Sequence, residues 1–312
     1  MIVTVSAPGK IFLMGEHAVV YGKPALLSCI NKRVIVILSY SAKTQIISLD
    51  NKFISQIINL VKNYFRLPGI PGIKIEVISE IKNGYHLGSS AAVSVAVIAS
   101  LVYLLKKIWN PELVNSLSFE AEKLKHGNPS GADNSVISFG GIIWYRKELD
   151  FLKNIWAIPL NIPPALNHFY LVDTGLPQQS TRQMVTHVSK NYRENQKQFD
   201  FYFSQNEQAV KNIAASLKIG DSKLLLDSIK IGENTLENIG VVSKEIIPFI
   251  RQVEDTGGAA KILGGGGKTG SVGYLLCFHP KKEVLIKISE KFNFPLEATT
   301  LAQAGLRLEK KL

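Results

Sequence analysis

Cysteine is nearly absent from this 312-residue chain: Cys29 and Cys277 stand alone, without metal-like spacing and too few for a disulfide scaffold. That usage fits a reducing compartment, and a cytoplasmic location is expected. No stretch reaches the roughly 20 apolar residues that span a bilayer. The longest strongly apolar run, 91–105, reads as a buried helix, so no membrane partner is expected. The start, Met1-Ile2-Val3-Thr4-Val5, has no basic leader or cleavage site and alternates like a strand. Fixed-period repeats and low-complexity tracts are also missing. Asn128-Pro129-Ser130 is no glycosylation acceptor, because proline holds the middle position.

Acidic residues are outnumbered, leaving a net charge of +11, yet the basic ones form no long block. They occur largely as scattered pairs: Lys32-Arg33, Lys106-Lys107, Lys281-Lys282 and Lys310-Lys311. With no aromatic-and-basic recognition motif beside them, no nucleic-acid partner is expected. A diffuse positive field equally suits a phosphorylated, carboxylate-bearing small substrate.

At 46% hydrophobic, the chain is long enough for more than one core. Two domains, 1–163 and 164–312, are expected, divided in the proline-rich segment 158–165. Strands are expected at 2–7, 33–40, 45–49, 73–77, 142–145, 169–173, 260–263, 272–278 and 305–309. Helices are expected at 52–64, 91–105, 111–125, 179–199, 205–216, 222–237, 244–254 and 281–291. Without strict βαβ alternation, this order reads as α+β rather than a Rossmann sheet.

The most informative stretch is His86-Leu87-Gly88-Ser89-Ser90-Ala91-Ala92-Val93, a glycine-serine loop running straight into the apolar helix. Gly88 permits close backbone approach and positive φ. Ser90 sits where an N-cap or first-turn residue would. Free N–H groups and the positive end of the helix dipole make such a start an anion site. The same residues also describe an ordinary capped core helix.

Three further segments carry chemistry. Ala7-Pro8-Gly9-Lys10-Ile11-Phe12-Leu13-Met14-Gly15-Glu16-His17 gathers a Lys, a Glu and a His. An ammonium there can stabilise a developing alkoxide, and Glu16 or His17 can bind hydroxyl or carboxylate groups. In the segment from Glu122 to Asn134, Asp133 follows a Pro-Ser-Gly turn. It is either a helix N-cap or a base poised over an incoming hydroxyl. In Lys261-Ile262-Leu263-Gly264-Gly265-Gly266-Gly267-Lys268-Thr269-Gly270-Ser271, the Gly267-Lys268-Thr269 triplet invites a Walker A assignment. That motif needs glycine where Ile262 stands, so the segment is a glycine loop between strands.

Together and in this order, these segments resemble the GHMP kinase superfamily. Gly15-Glu16-His17-Ala18-Val19-Val20-Tyr21-Gly22, His126 through Asn134, and Val172-Asp173-Thr174-Gly175 with Ser180-Thr181 are most similar to its mevalonate kinase branch. The resemblance implies a ribosomal-protein-S5-like N-terminal domain, a ferredoxin-like C-terminal domain and an active site between them. It implies ATP- and Mg²⁺-dependent phosphorylation of the C5 hydroxyl of mevalonate, and a homodimer. Asp133 and Lys10 would be catalytic. Gly84, His86, Leu87, Gly88, Ser89, Ser90 and Ala91 would bind ATP, and Ser90 and Glu122 would hold Mg²⁺. Glu16, His17, Asp133, Thr174 and Gly265 would face mevalonate. Phosphomevalonate kinase, mevalonate 3-kinase and diphosphomevalonate decarboxylase are the alternatives within the superfamily.

Two departures from the family pattern stand out. Its phosphate loop reads Pro-x-Gly-x-Gly-Leu-Gly-Ser-Ser, whereas Lys82 replaces the proline here and His86 the middle glycine. In the third motif Lys268 puts a positive charge where glycine is expected. Lys268 is expected to touch ATP phosphates or substrate, so Lys268→Ala should change a KM or kcat. Steady-state kinetics with all three constants unchanged would exclude that role.

Overall fold

The strand expected at the start of the chain does not stop at Pro8. In the computed structural model, which describes residues 1–127, 129–149, 152–160 and 162–309, β1 (Ile2–Met14) runs antiparallel to β2 (Ala25–Tyr40). Pro8 pairs with Arg33 and Gly9 with Ile30, so Asn31 and Lys32 form a bulge that absorbs the irregularity. Asn128 of the His126–Asn134 motif and the Lys310-Lys311 pair lie outside the described residues.

Next come β3 (Gln45–Ile47), α1 (Asn51–Tyr64), β4 (Ile73–Ser79), α2 (Ser89–Lys106) and α3 (Pro111–His126). Asp50 caps α1 through the Phe53 N–H, and Asn110 caps α3 through that of Leu113, with Pro111 in its first turn. The short helix α4 (Ala132–Phe139) then leads into β5 (Ile142–Lys147) and β6 (Lys153–Ile158). The first sheet has the order β11-β1-β2-β4-β3, where β11 (Arg307–Glu309) is the last strand, with β5 on β2 and β6 on β5. Helix α2 is long and apolar enough to cross a membrane by composition. Most of its residues are instead buried, and it packs against β1, β2, α1, α3 and α4 as a core helix.

The second half contains β7 (Phe169–Asp173), α5 (Thr181–Glu194), α6 (Gln196–Ile219), α7 (Ser222–Asn238), α8 (Ile247–Asp255) and β8 (Ala259–Ile262). It continues with β9 (Tyr274–Phe278), α9 (Lys282–Phe292) and β10 (Leu296–Thr299). All pairings in the sheet β10-β7-β9-β8 are antiparallel, and the βαββαβ succession is that of a ferredoxin-like fold. Its strands alternate between two cores. Phe169, Leu171, Tyr274, Leu276 and Phe278 join the core of the first sheet, while Tyr170, Val172, Leu275 and Cys277 pack under α5, α8 and α9. The sheet is therefore covered on both faces, and the α+β class expected from the sequence is the one observed.

Several expectations required adjustment. The helix expected over 179–199 is two helices: the Ser180–Gln183 capping box starts α5, and non-helical Asn195 (φ −137°, ψ 47°) separates it from α6. Strand β2 begins at Ala25 rather than 33, and α4, β6 and β10 were not anticipated. Helix α4 is only eight residues between glycines, and β6 and β10 mix polar and apolar residues without clean alternation. The returning strand β11 crosses the proposed division at 163/164 by pairing with β1.

That return depends on glycine. Gly140, at φ +81°, bridges to Ala304, and a Cβ on it would stand 2.1 Å from the Gly305 nitrogen. Gly140→Ala should destabilise the fold by about 2–4 kcal/mol through over-packing and left-handed strain. Urea unfolding would measure it; an unshifted midpoint would mean that the C-terminal segment does not press on this turn.

Candidate active site at the start of α2

Lys10 is carried into the interior by β1, leaving its side chain 4% exposed. Its backbone N–H donates to the Leu87 carbonyl at 3.0 Å, joining β1 to the loop before α2. Gly88 rests on the lysine stem. A Cβ there would lie 2.7 Å from Lys10 Cγ, and its φ of +76° also favours glycine. Gly88 is the N-terminal cap residue of α2, so Ser89, Ser90 and Ala91 form the first turn, and Ala92 is the first to donate back, to Gly88. Ser90 is thus a first-turn residue and not the cap. The first-turn N–H groups have no acceptor within the helix and carry its positive dipole end. Gly84 and His86 ahead of them both have positive φ, as a tight irregular loop requires.

Asp133 comes from α4. Gly131 in the left-handed conformation occupies the cap position, so Asp133 lies in the first turn and the N-cap alternative is replaced. Its Oδ1 is 3.1 Å from the Lys10 ammonium, and its side chain remains 38% exposed. The Lys10 ammonium also lies 4.7 Å from the centre of the Phe12 ring. The pair therefore has a buried cation below and a carboxylate open to the cleft.

Glu122, near the end of α3, accepts a hydrogen bond from the Ser90 hydroxyl at 2.9 Å through Oε2. Its Oε1 is buried and has no hydrogen-bond partner. Burial, with the Asp133 charge adding to it, pushes this carboxyl up to about 7 against the Ser90 hydrogen bond. His126, one turn later, brings Nε2 within 3.1 Å of Ser90 Oγ and 3.6 Å of Glu122 Oε2. Its role was not foreseen, although its i,i+4 spacing from Glu122 was a usable signal.

Glu16 and His17 do not join the Lys10–Asp133 pair. The Glu16 carboxylate accepts from the Lys261 ammonium, which is wholly buried and also donates to the Phe12 and Ile262 carbonyls. Glu233 of α7, buried beside them, accepts the Ile262 N–H at 3.0 Å and has its carboxyl pushed up by burial. His17 meets the Gly265 carbonyl through Nε2 at 3.1 Å, so this part of the expected substrate side is a contact between the two glycine-bearing segments. Thr174 donates to the Gly273 carbonyl at 2.7 Å and accepts from the Val272 N–H, pinning the third loop to β7. The His86 ring packs against that same loop, with Nδ1 3.3 Å from Thr181 Oγ1. Lys268 is exposed, and its backbone N–H donates to Gln179 Oε1 at 2.9 Å.

Burial lowers His17 to about 4, only partly offset by its bond to Gly265. The folded protein therefore holds it neutral where an unfolded chain would protonate it. Stability should be complete above about pH 6.5 and fall as pH drops toward 4, at most about 1.4 kcal/mol per pH unit from one proton. His17→Asn keeps a donor and tolerates the φ of +58° at this position, and urea midpoints at pH 7 and 5 should then differ less than in the wild type. An equal difference in both proteins would exclude His17 as the source.

The GHMP kinases N terminal domain profile matches residues 52–141, which include α2, Glu122 and Asp133. The chain is 28% identical to the mevalonate kinase of Thermococcus sibiricus, covering 99% of each chain. It superposes on the structure of L. major mevalonate kinase in complex with R-mevalonate with a TM-score of 0.81, at 22% identity and covering 96% of each chain. Its identity to the mevalonate kinase of Archaeoglobus fulgidus is 34% over 84% of this chain and 88% of that one. Agreement of that depth across most of both sequences decides the family: the chain belongs to the mevalonate kinases of the GHMP kinase group.

Proposed function

We propose that this protein transfers the γ-phosphoryl group of ATP to the C5 hydroxyl of (R)-mevalonate. The observation that carries the reading is the Lys10–Asp133 pair, a half-open carboxylate held by a buried ammonium beside the first turn of α2. Phosphoryl transfer asks a protein mainly for positioning and charge stabilisation. The first-turn N–H groups of α2, at Ser89, Ser90 and Ala91, would receive phosphate oxygens, and Gly88 lets them approach. Asp133 would accept the hydrogen bond of the incoming hydroxyl and orient it. Lys10 would hold that carboxylate in place and stabilise negative charge growing on the attacking oxygen.

The residues also fit a magnesium ion. Glu122 offers a buried oxygen without a partner, and the Ser90 hydroxyl lies 2.9 Å from its other oxygen. A hydroxyl and a carboxylate, completed by water and phosphate oxygens, make a normal Mg²⁺ donor set. Bound there, the ion would neutralise phosphate charge. His17 and Gly265 support a substrate-side role for the joined loops, and Lys268 stands at the rim of the same loop. Thr174 would act by fixing those loops rather than by direct contact, since its hydroxyl is engaged internally, whereas Glu16 is held through one oxygen by Lys261 and keeps its other oxygen without a partner.

A coupled ADP-release assay with ATP and Mg²⁺ tests the reading. Mevalonate, phosphomevalonate, diphosphomevalonate, homoserine and galactose would run in parallel. Turnover is expected on mevalonate alone, with Asp133→Asn lowering kcat by about 10²–10⁴-fold. Turnover on a different acceptor would reassign the substrate. A fully active Asp133→Asn variant would remove the carboxylate from the mechanism.

A further inference from the structure

The two residues that depart from the family's phosphate loop both reach across to the second half of the chain. Lys82 stands where the family has proline, and its ammonium pairs with the Asp173 carboxylate at the end of β7. Asp173 is nearly buried, and its other oxygen accepts the Gly175 N–H at 2.8 Å. The same ammonium lies 5.2 Å from the Tyr85 ring centre and 5.7 Å from that of Tyr274 on β9. These two rings stand 5.4 Å apart, so loop and sheet share a cation–π contact.

His86 replaces a family glycine and makes the second crossing. Its ring fills space that glycines leave open. Cβ atoms built on Gly264, Gly265 and Gly273 would come 2.5, 3.5 and 3.5 Å from His86 atoms. Nδ1 faces Thr181 Oγ1 at the start of α5. Between the crossings, Leu176 packs over Gly84, with Cδ1 3.1 Å from where a Cβ would be. A proline would have stiffened the loop from within, by fixing φ. This chain lacks that device and holds the loop from outside.

We propose that Lys82 and His86 are positioning residues that hold the phosphate-binding loop against the second sheet, so that its grip on nucleotide depends on Asp173 and Thr181. The proposal rests on the kinase reading for the identity of the ligand. It goes beyond that reading in making nucleotide affinity a property of contacts between the two halves. None of the four side chains needs to touch nucleotide for this to hold. Ordering the loop before binding spares the ligand the entropic cost of ordering it.

The test is calorimetric titration of the intact protein with AMPPNP and Mg²⁺, with melting temperatures recorded for each variant. Lys82→Met and Asp173→Asn should each weaken binding about three- to fivefold, as expected for a partly exposed ion pair. Asn at 173 can still accept the Gly175 N–H, so that turn survives. The double variant should bind no more weakly than either single one, and Lys82→Arg should bind like the wild type. His86→Gly removes the ring without straining a positive-φ backbone, and it should also weaken binding. His86→Asn keeps the backbone and a polar atom toward Thr181, and should restore most of the affinity. In turnover, KM for ATP should rise more than kcat falls.

Effects of Lys82→Met and Asp173→Asn that multiply in the double variant would overturn the tether. So would a lowered melting temperature with unchanged AMPPNP affinity, or wild-type affinity in His86→Gly. Because the readout is nucleotide affinity, it is separable from the acceptor. A wild type that binds AMPPNP but does not phosphorylate mevalonate would overturn the substrate assignment and leave the tether standing.

Discussion

A lysine ammonium shielded from water must be matched by negative charge and hydrogen-bond acceptors, because an unpaired buried charge is too costly to keep. Lys10 imposes that requirement on everything around it. Its place in the middle of β1 forces the strand to continue past Pro8, and the bulge at Asn31-Lys32 makes the continuation feasible. Its stem lies so close to the start of α2 that only glycine fits at 88. Its charge needs the carboxylate that the first turn of α4 provides. Strand, helix start and acidic residue are thus mutually dependent, and the same dependence sets a half-open carboxylate beside the first-turn amides of α2.

A second buried charge system does for the two halves what Lys10 does within the first. Lys261 leaves β8 toward Glu16, just beyond the end of β1, and Glu233 of α7 lies against the same strand. With two carboxylates and one ammonium, one acid is better kept neutral, consistent with the upward push on Glu233. Polar contacts of this kind specify an arrangement more than they stabilise it, because desolvation offsets much of their attraction. Here the arrangement specified is the contact of the Gly15–His17 turn with the third glycine loop, completed by His17 and the Gly265 carbonyl. The apolar faces of β7 and β9 supply the adhesion, and the charges supply the register.

The parts of this design legible in the sequence are those with local causes. The apolar run of α2, the caps of α1 and α3, and the glycine-serine loop each announce themselves within a few residues. Asp133 was also visible, but the cap reading gave way to Gly131, whose left-handed backbone places the cap two positions before Asp133 in the Ser-Gly-Ala-Asp string. Pairings across long separations were not legible. Nothing local says that Glu16 meets Lys261 or that Lys82 meets Asp173, since opposite charges far apart in sequence have no periodicity to read. For the same reason, β11 was foreseen as a strand but not as a partner of β1. Short elements failed differently. Helix α4 has too few turns for a 3.6-residue pattern, and β6 and β10 lack the alternation that marks a half-buried strand.

The net charge of +11 takes on a different meaning once its local distribution is known. Around the cleft, Lys10 is matched by Asp133, Lys82 by Asp173 and Lys261 by Glu16, each carboxylate coming from a different element. These lysines therefore contribute little net attraction at a distance. His17 and His86 are held neutral, mainly by burial. The positive potential left near the cleft is then that of the first-turn amides of α2 and of the exposed Lys268, whose charge helps lower the pKa of nearby His187. Oriented amides need no counter-ion and undergo no protonation change as a phosphate arrives. A site organised in this way offers a polyanion a fixed dipole, while its paired ammonium groups hold carboxylates in place.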